Sequence, residues 1–219
     1  MSRPRSQQGP AASEIGPALT EAFFARSVHD VARELVGCAL LFGSVGGVIV
    51  ETESYHEDDP ACHAAAGPTA RNAPIYGPPG RAYVYLSYGL HNLLNAVAEP
   101  DGDAAAVLIR ALEPRWGLPT MRRRRGRRSE RELCSGPGKL TEAIGVTMKQ
   151  NATSLIDRPF TLAGPVLGWE QVEVVTAPRV GISKAVELPW RFCAGGSAFV
   201  SRPAPRVDVS SNPVSAAAR

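Results

Sequence analysis

The apolar positions of this chain fall mostly into short runs with a period of two, which predicts strands more often than helices. CALLF (38–42) and VIVETESY (48–55) are two β-rich runs, broken by Gly43-Ser44-Val45-Gly46-Gly47, and together they predict a hairpin. In the second run Ile49, Glu51, Glu53 and Tyr55 share one face, and Val48, Val50 and Thr52 share the other. AYVYLS (82–87), a turn at Tyr88-Gly89 and HNLLNAVA (91–98) predict a second hairpin. Glu99-Pro100-Asp101-Gly102 is a turn signal, and AAAVLIRALE (104–113) is the strand that closes a meander. VEVVTA (172–177) is one more strand.

Helical signals are fewer. Ser27 is a candidate N-cap for a helix anchored by Val31 and Leu35, with Phe23 and Phe24 before it and Gly37 as its stop. Ser129-Glu130-Arg131-Glu132 matches a capping box. Gly136-Pro137-Gly138-Lys139 opens a short helix that Gly145 ends. Between the two hairpins, residues 56–81 are rich in Pro and Gly and read as a long irregular loop, a kind of segment that usually carries function. The order of elements lacks regular βα alternation, so the fold class is α+β, in one domain over residues 17–202. Residues 1–16 and 203–219 read as flexible tails.

The chain's 219 residues are 44% hydrophobic and 21% charged, which excludes a wholly disordered chain. No apolar run approaches the roughly 20 residues of a membrane span, and the first residues carry no secretory signal. Cys38, Cys62, Cys134 and Cys193 are scattered, which fits neither a disulfide scaffold nor a zinc ribbon and suggests a reducing compartment. The net charge is only +3, but 21 of the 24 basic residues are arginines, and six of them fall between Arg122 and Arg128. That run suits phosphate oxygens, and it suits a solvated loop equally well.

All five tyrosines lie between Tyr55 and Tyr88, mixed with His63, His91, Glu51 and Glu53, a cluster that reads as a site more than a core. Glu51 and Glu53 are roughly 7 Å apart on one strand face. One could act as a general base, or both could pair with arginines on a solvated face. Tyr88 at a hairpin tip could wedge between stacked bases or fold back on the sheet. His63 has no partner at metal-ligand spacing, so zinc is rejected and a structural histidine is the default. Gly136–Lys139 lacks the Walker spacing but places a cation at a helix start, where a phosphate fits.

Taken in order, IVETESY (49–55), His63, PPGRAYVYLSYGLHNLLN (78–95), VLIRALEP (107–114) and RELCSGPGKL (131–140) closely resemble the 3-methyladenine DNA glycosylase family of the alkyladenine (N-methylpurine) type. The resemblance runs from about residue 18 to about residue 202. It implies a curved, mainly antiparallel sheet with a protruding β-hairpin, surrounded by helices and loops. It implies that Glu53 is the general base that activates water against C1′ of a damaged purine nucleotide. It also implies a flipped base sandwiched by Tyr55 on one side and by His63 with Tyr85 on the other. Asn95 would exclude guanine, and Tyr88 would fill the gap in the helix. Arg110 would lie near the DNA backbone and the pocket, with Lys139, Arg122, Arg123, Arg124 and Arg125 as further candidates for phosphate contacts.

The implied partner is double-stranded DNA containing damaged purines such as 3-methyladenine, hypoxanthine or ethenoadenine. Neither a cofactor nor a metal nor a membrane is expected. The protein is expected to act as a monomer, in the cytoplasm with the nucleoid in a bacterium or in the nucleus of a eukaryote, and not to be secreted. No lysine precedes Lys139, so the tyrosine-rich region holds none, and the expected enzyme is monofunctional. The alternative is a damage-binding protein without catalysis.

Overall fold

A computed structural model describes residues 9–126 and 128–204, so Arg127 of the arginine run and the outer parts of both predicted tails lie outside the described residues. The fold is α+β, and an open antiparallel sheet of eight strands dominates it. Its axis is β2, the twelve-residue strand Val45–His56, because β2 finds partners along both edges. The equally long β5 (Ala105–Trp116) runs beside it on one edge. On the other edge, β1 (Cys38–Phe42) pairs with its first part and β8 (Arg191–Ala194) with its second. β3 (Ala82–Ser87) and β4 (His91–Val97) extend the sheet beyond β5. β6 (Phe160–Pro165) flanks β1, and β7 (Val174–Ala177) flanks β8.

The first predicted hairpin is tighter than its glycines suggest. Phe42 faces Val45, so only Gly43 and Ser44 turn, and Val45, Gly46 and Gly47 belong to β2. The last two glycines serve close packing. A Cβ on Gly46 would lie 2.0 Å from the Leu40 carbonyl oxygen, and one on Gly47 would lie 2.1 Å from that of Glu113. The second hairpin and the meander follow the period-two pattern. β6 and β8 carry no such pattern and were not expected. Neither was α3 (Leu118–Arg124).

Alternation sorts β2 into two faces. Thr52 and Ser54 point to α2 (Val28–Glu34): the Thr52 hydroxyl donates to the Ala32 carbonyl at 2.7 Å, and Ser54 Oγ lies 2.8 Å from His29 Nδ1. Ser27 precedes α2 as expected, but its side chain caps nothing. The Glu99 carboxylate accepts the Val28 N–H instead, at 2.7 Å. After α1 (Glu21–Phe24) and α2, the helices α4 (Glu130–Leu133) and α5 (Pro137–Ile144) complete the set, with the expected capping box on α4 and the expected stop at Gly145. Helices α2 and α5 lie over this face and bury the main core with Val84, Leu94, Val107 and Ile109. Residues 57–81 cover the opposite face of β3, β4 and β5 with a smaller cluster built on Cys62, Ile75, Tyr83 and Ala106. The sequence at the N-terminal side joins the sheet earlier than residue 17, since Ile15 bridges Val166 and the Gly16 N–H donates to Pro165. Among the described residues no helix is long and apolar enough to cross a membrane.

Candidate active site

One rung of the sheet carries most of the site. Tyr83 on β3 faces Asn95 on β4, Asn95 faces Leu108 on β5, and Leu108 faces Glu53 on β2. The next rung sets Ala106 opposite Tyr55. Side chains that share a rung share a face, so the pairing alone gathers an acid, an amide and rings that lie far apart in sequence. Short Ala106 opposite Tyr55 leaves room for a cavity of about 480 Å³, floored by Ala106 and Leu108 and walled by Tyr55, His63, Tyr83, Tyr85 and Asn95 and by the loop 180–184.

The walls are held in place by their own contacts. Tyr83 and Tyr85 stack with centroids 5.4 Å apart, and His63 meets Tyr85 edge-on at 4.5 Å. His63 Nδ1 lies 2.9 Å from the Tyr83 hydroxyl, and Asn95 Nδ2 donates to the Tyr83 carbonyl at 2.9 Å. Burial, aided by the nearby Arg71 charge, holds His63 below the usual histidine range, which keeps its ring neutral at pH 7. Behind Tyr55, Arg179 stacks on the ring at 4.6 Å and on Trp190 at 5.0 Å. Its guanidinium pairs with the buried Asp59 carboxylate. Tyr55 is therefore fixed on its far face and presents its other face to the cavity. Tyr83 belongs to this wall as fully as Tyr85 does. Their spacing of two residues was the signal for it.

Glu53 is 0% exposed and does not itself line the cavity. Its two neighbours Tyr55 and Val180 do. The Tyr55 hydroxyl donates to Oε2 at 2.8 Å, the Val180 N–H to Oε1 at 2.7 Å, and Arg110 Nη1 to Oε2 at 3.1 Å. Three hydrogen bonds leave room for one more donor on a carboxylate. Glu51, two residues earlier, is more heavily compensated. It accepts from Arg110 Nε at 2.8 Å, from Arg191 Nε at 2.7 Å and from both the N–H and the hydroxyl of Ser201. The two carboxyls separate accordingly. Burial pushes Glu53 above the usual carboxylate range despite Arg110. Glu51 is equally enclosed, but Arg110, Arg191 and Ser201 together hold it below that range. A pair whose environments drive them apart has one member ready to take a proton and one that stays charged.

Several expected backbone contacts take a different place. Arg110 is 5% exposed and bonded to Glu51, Glu53 and Ser201, so it orders the carboxylates, and it also lines the cleft that holds Lys139, Arg131 and Arg202. Period two on β5 puts it on the same face as Leu108 and Ala106, where Glu51 and Glu53 neutralise it. Much of the arginine run is engaged too. Arg122 pairs with Glu130, Arg125 with Glu142, and Arg124 donates to the Ala143 carbonyl at 2.9 Å. Arg123 makes only a bond to Thr120 Oγ1 among the described residues. Lys139, in the first turn of α5, is exposed and shares a cleft with Arg131 and Arg202. That turn abuts the second hairpin, because Gly138 packs on the His91 side chain. At the hairpin tip Tyr88 is 90% exposed and in the left-handed region (φ 50°), so it projects from the sheet and does not fold back.

The tyrosine-rich stretch holds no lysine, but the folded cavity does. The loop 180–184, which follows the buried Arg179 and is tied to Glu53 through Val180, brings Lys184 onto the cavity wall from far along the sequence.

A model of the methylpurine-DNA glycosylase (MPG) family matches residues 22–198. A protein of Rhodopseudomonas palustris strain BisB18, named "Putative 3-methyladenine DNA glycosylase", is 57% identical over 194 residues, covering 89% of this chain and 96% of that one. Proteins with the same name from Nitrobacter winogradskyi and Nitrosospira multiformis are 52% and 53% identical, over 90% and 85% of this chain and 94% and 95% of theirs. With the family matched across nearly all of the sheet that builds this site, the chain belongs to the methylpurine-DNA glycosylase family.

Proposed function

We propose that this protein is a glycosylase that takes a damaged purine, turned out of duplex DNA, into the tyrosine-lined cavity and hydrolyses its N-glycosidic bond with water activated by Glu53. The observation that carries the reading is the divergence of Glu51 and Glu53. Only Glu53 is both raised above the ordinary carboxylate range and bonded to residues of the cavity wall. Its remaining acceptor position suits a water. Ionised Glu53 would draw a proton from that water as its oxygen bonds to C1′, and the negative charge would stabilise the positive sugar that forms as the bond to N9 breaks. Arg110 offsets part of the cost of ionising this buried carboxylate. The base has to leave the stack, because the sugar carbon is shielded in a paired helix. Tyr88 supports that step, being a large ring placed where it can fill the vacated space. Lys139, Arg131 and Arg202 are suited to the flanking phosphates.

The test is Glu53→Gln with a duplex carrying one defined purine lesion. Single-turnover base release, read by alkaline cleavage of the abasic strand, is expected to fall by about 100-fold or more, while the duplex is still bound. Release at the parent rate would overturn the assignment. Binding without release by the unaltered protein, on every lesion offered, would favour damage binding alone.

A further inference from the structure

The cavity wall carries two cations and no anion. Arg71 and Lys184 both line it, and among the described residues no Asp or Glu does. Neither cation is spent elsewhere. Both are exposed, and neither forms a salt bridge among the described residues. Arg71 makes one long bond, to the Leu86 carbonyl at 3.4 Å. Its guanidinium carbon lies 5.8 Å from the centroid of the Tyr85 ring, so it already occupies a position that a cationic guest would use against that ring.

Damaged purines fall into two electrostatic classes. An alkylated purine such as 7-methylguanine is a cation in the nucleotide and leaves as a neutral base. A deaminated purine such as hypoxanthine is neutral in the nucleotide. When its C1′–N9 bond breaks, both bonding electrons stay on N9, and the base departs as an anion until it gains a proton. The sugar carbon gains the hydroxyl of water and the water proton passes to Glu53; a hypoxanthine anion then takes up a proton, whereas 7-methylguanine leaves already neutral and the proton is released to solvent, so the sum is hydrolysis in either case. The two classes place opposite demands on the walls. Fixed positive charge opposes entry of the first and stabilises the developing charge of the second.

We propose that this pocket favours neutral purine lesions with a ring carbonyl over cationic ones, and that Lys184, with Arg71, stabilises the negative charge that gathers on the departing base. This rests on the glycosylase reading and assigns it a substrate class. The loop geometry is compatible. Lys184 lies four residues beyond Val180, whose N–H is fixed to Glu53, so the loop that holds the base of the reaction also carries the cation for the leaving group.

The experiment compares Lys184→Met and Lys184→Arg with the unaltered protein. Single-turnover release is measured on two otherwise identical duplexes, one with hypoxanthine and one with 7-methylguanine. Because Lys184 is exposed, its replacement leaves folding intact, which thermal unfolding checks. The ratio of hypoxanthine to 7-methylguanine release is expected to fall by about tenfold or more in Lys184→Met, and to return toward the parent ratio in Lys184→Arg. An unchanged ratio, or equal loss on both duplexes, would overturn the proposal while leaving the glycosylase reading intact. No release from either duplex by the unaltered protein would instead overturn that reading, and the selection with it.

Discussion

Two glutamates separated by one residue illustrate how much depends on the partners of a side chain. Glu51 receives four donors from three residues, two of them guanidinium groups. Replacing it with Gln would leave Arg110 and Arg191 buried with less compensation, and removing one member of a buried pair costs about 3–5 kcal/mol. Glu53 shares only one arginine, and ionising it in the fold is unfavourable relative to water. Glu51→Gln is therefore expected to lower unfolding stability by about 3 kcal/mol or more, and Glu53→Gln by less than half of that, measured by urea unfolding at pH 7. The pH dependence follows the sign of each shift. Glu51 is held below its unfolded value, so its contribution is complete above about pH 4.3 and is lost as pH falls through the folded value. Glu53 is held above its unfolded value, so it contributes in the opposite direction. Acid unfolding should thus be less steep in Glu51→Gln than in the parent. Equal costs for the two variants would contradict the division of roles.

At the scale of elements, the site depends on one strand with two crowded edges and one hairpin with a free end. Gly46 lets β1 approach β2 so closely that any side chain would strike the Leu40 carbonyl. Gly46→Ala is expected to cost about 3 kcal/mol or more, seen as a lower urea midpoint with an unchanged slope. The tip of the β3–β4 hairpin is the contrasting case. Tyr88 is almost wholly exposed and buries nothing in the free protein, so Tyr88→Ser should leave stability within about 0.5 kcal/mol of the parent. Affinity for a damaged duplex should fall about 10-fold or more in a binding titration, because a stacked ring contributes about 1–3 kcal/mol. These elements were legible in the sequence for a physical reason. β2, β3, β4 and β5 alternate, and alternation fixes a face, so the strand pattern alone places Glu53 and Tyr55 together, whereas Tyr85 and Asn95 are reached through the family resemblance. β6 and β8 were not legible, since FTLAGP and RFCA have no alternation and are strands only because β1 and β2 offer them edges. The 180–184 loop was equally hidden, because its place on the cavity follows from Arg179 burying against Asp59 and Tyr55, a tertiary event with no local signature.

For the whole molecule the question is which of the many cations meet DNA. Counting arginines along the sequence points to the run at 122–128, but folding removes much of that charge from play. Arg122 and Arg125 are paired with glutamates, and Arg110, Arg179 and Arg191 are spent on buried carboxylates. Nothing local along the chain signals this, because charge pairing depends on contacts between residues as distant as Glu51 and Arg191. Outside the cavity, the cations that stay available beside the hairpin include those of the cleft of Lys139, Arg131 and Arg202, which Arg110 and Glu132 also line. Each phosphate neutralised contributes a slope of about −0.9 to the dependence of log binding constant on log salt concentration. Three contacts from this cleft predict a slope of about −2.7, and engagement of the arginine run as well would make it markedly steeper. Lys139→Met should reduce the magnitude of the slope by about 1 and weaken damaged and undamaged duplexes alike, since a phosphate contact reads no base. Arg123→Met, in the run, should leave the slope unchanged. Equilibrium titrations of both variants at four or five salt concentrations decide the matter. A slope that responds to Arg123 and not to Lys139 would move the DNA path from the cleft beside α5 to the end of α3.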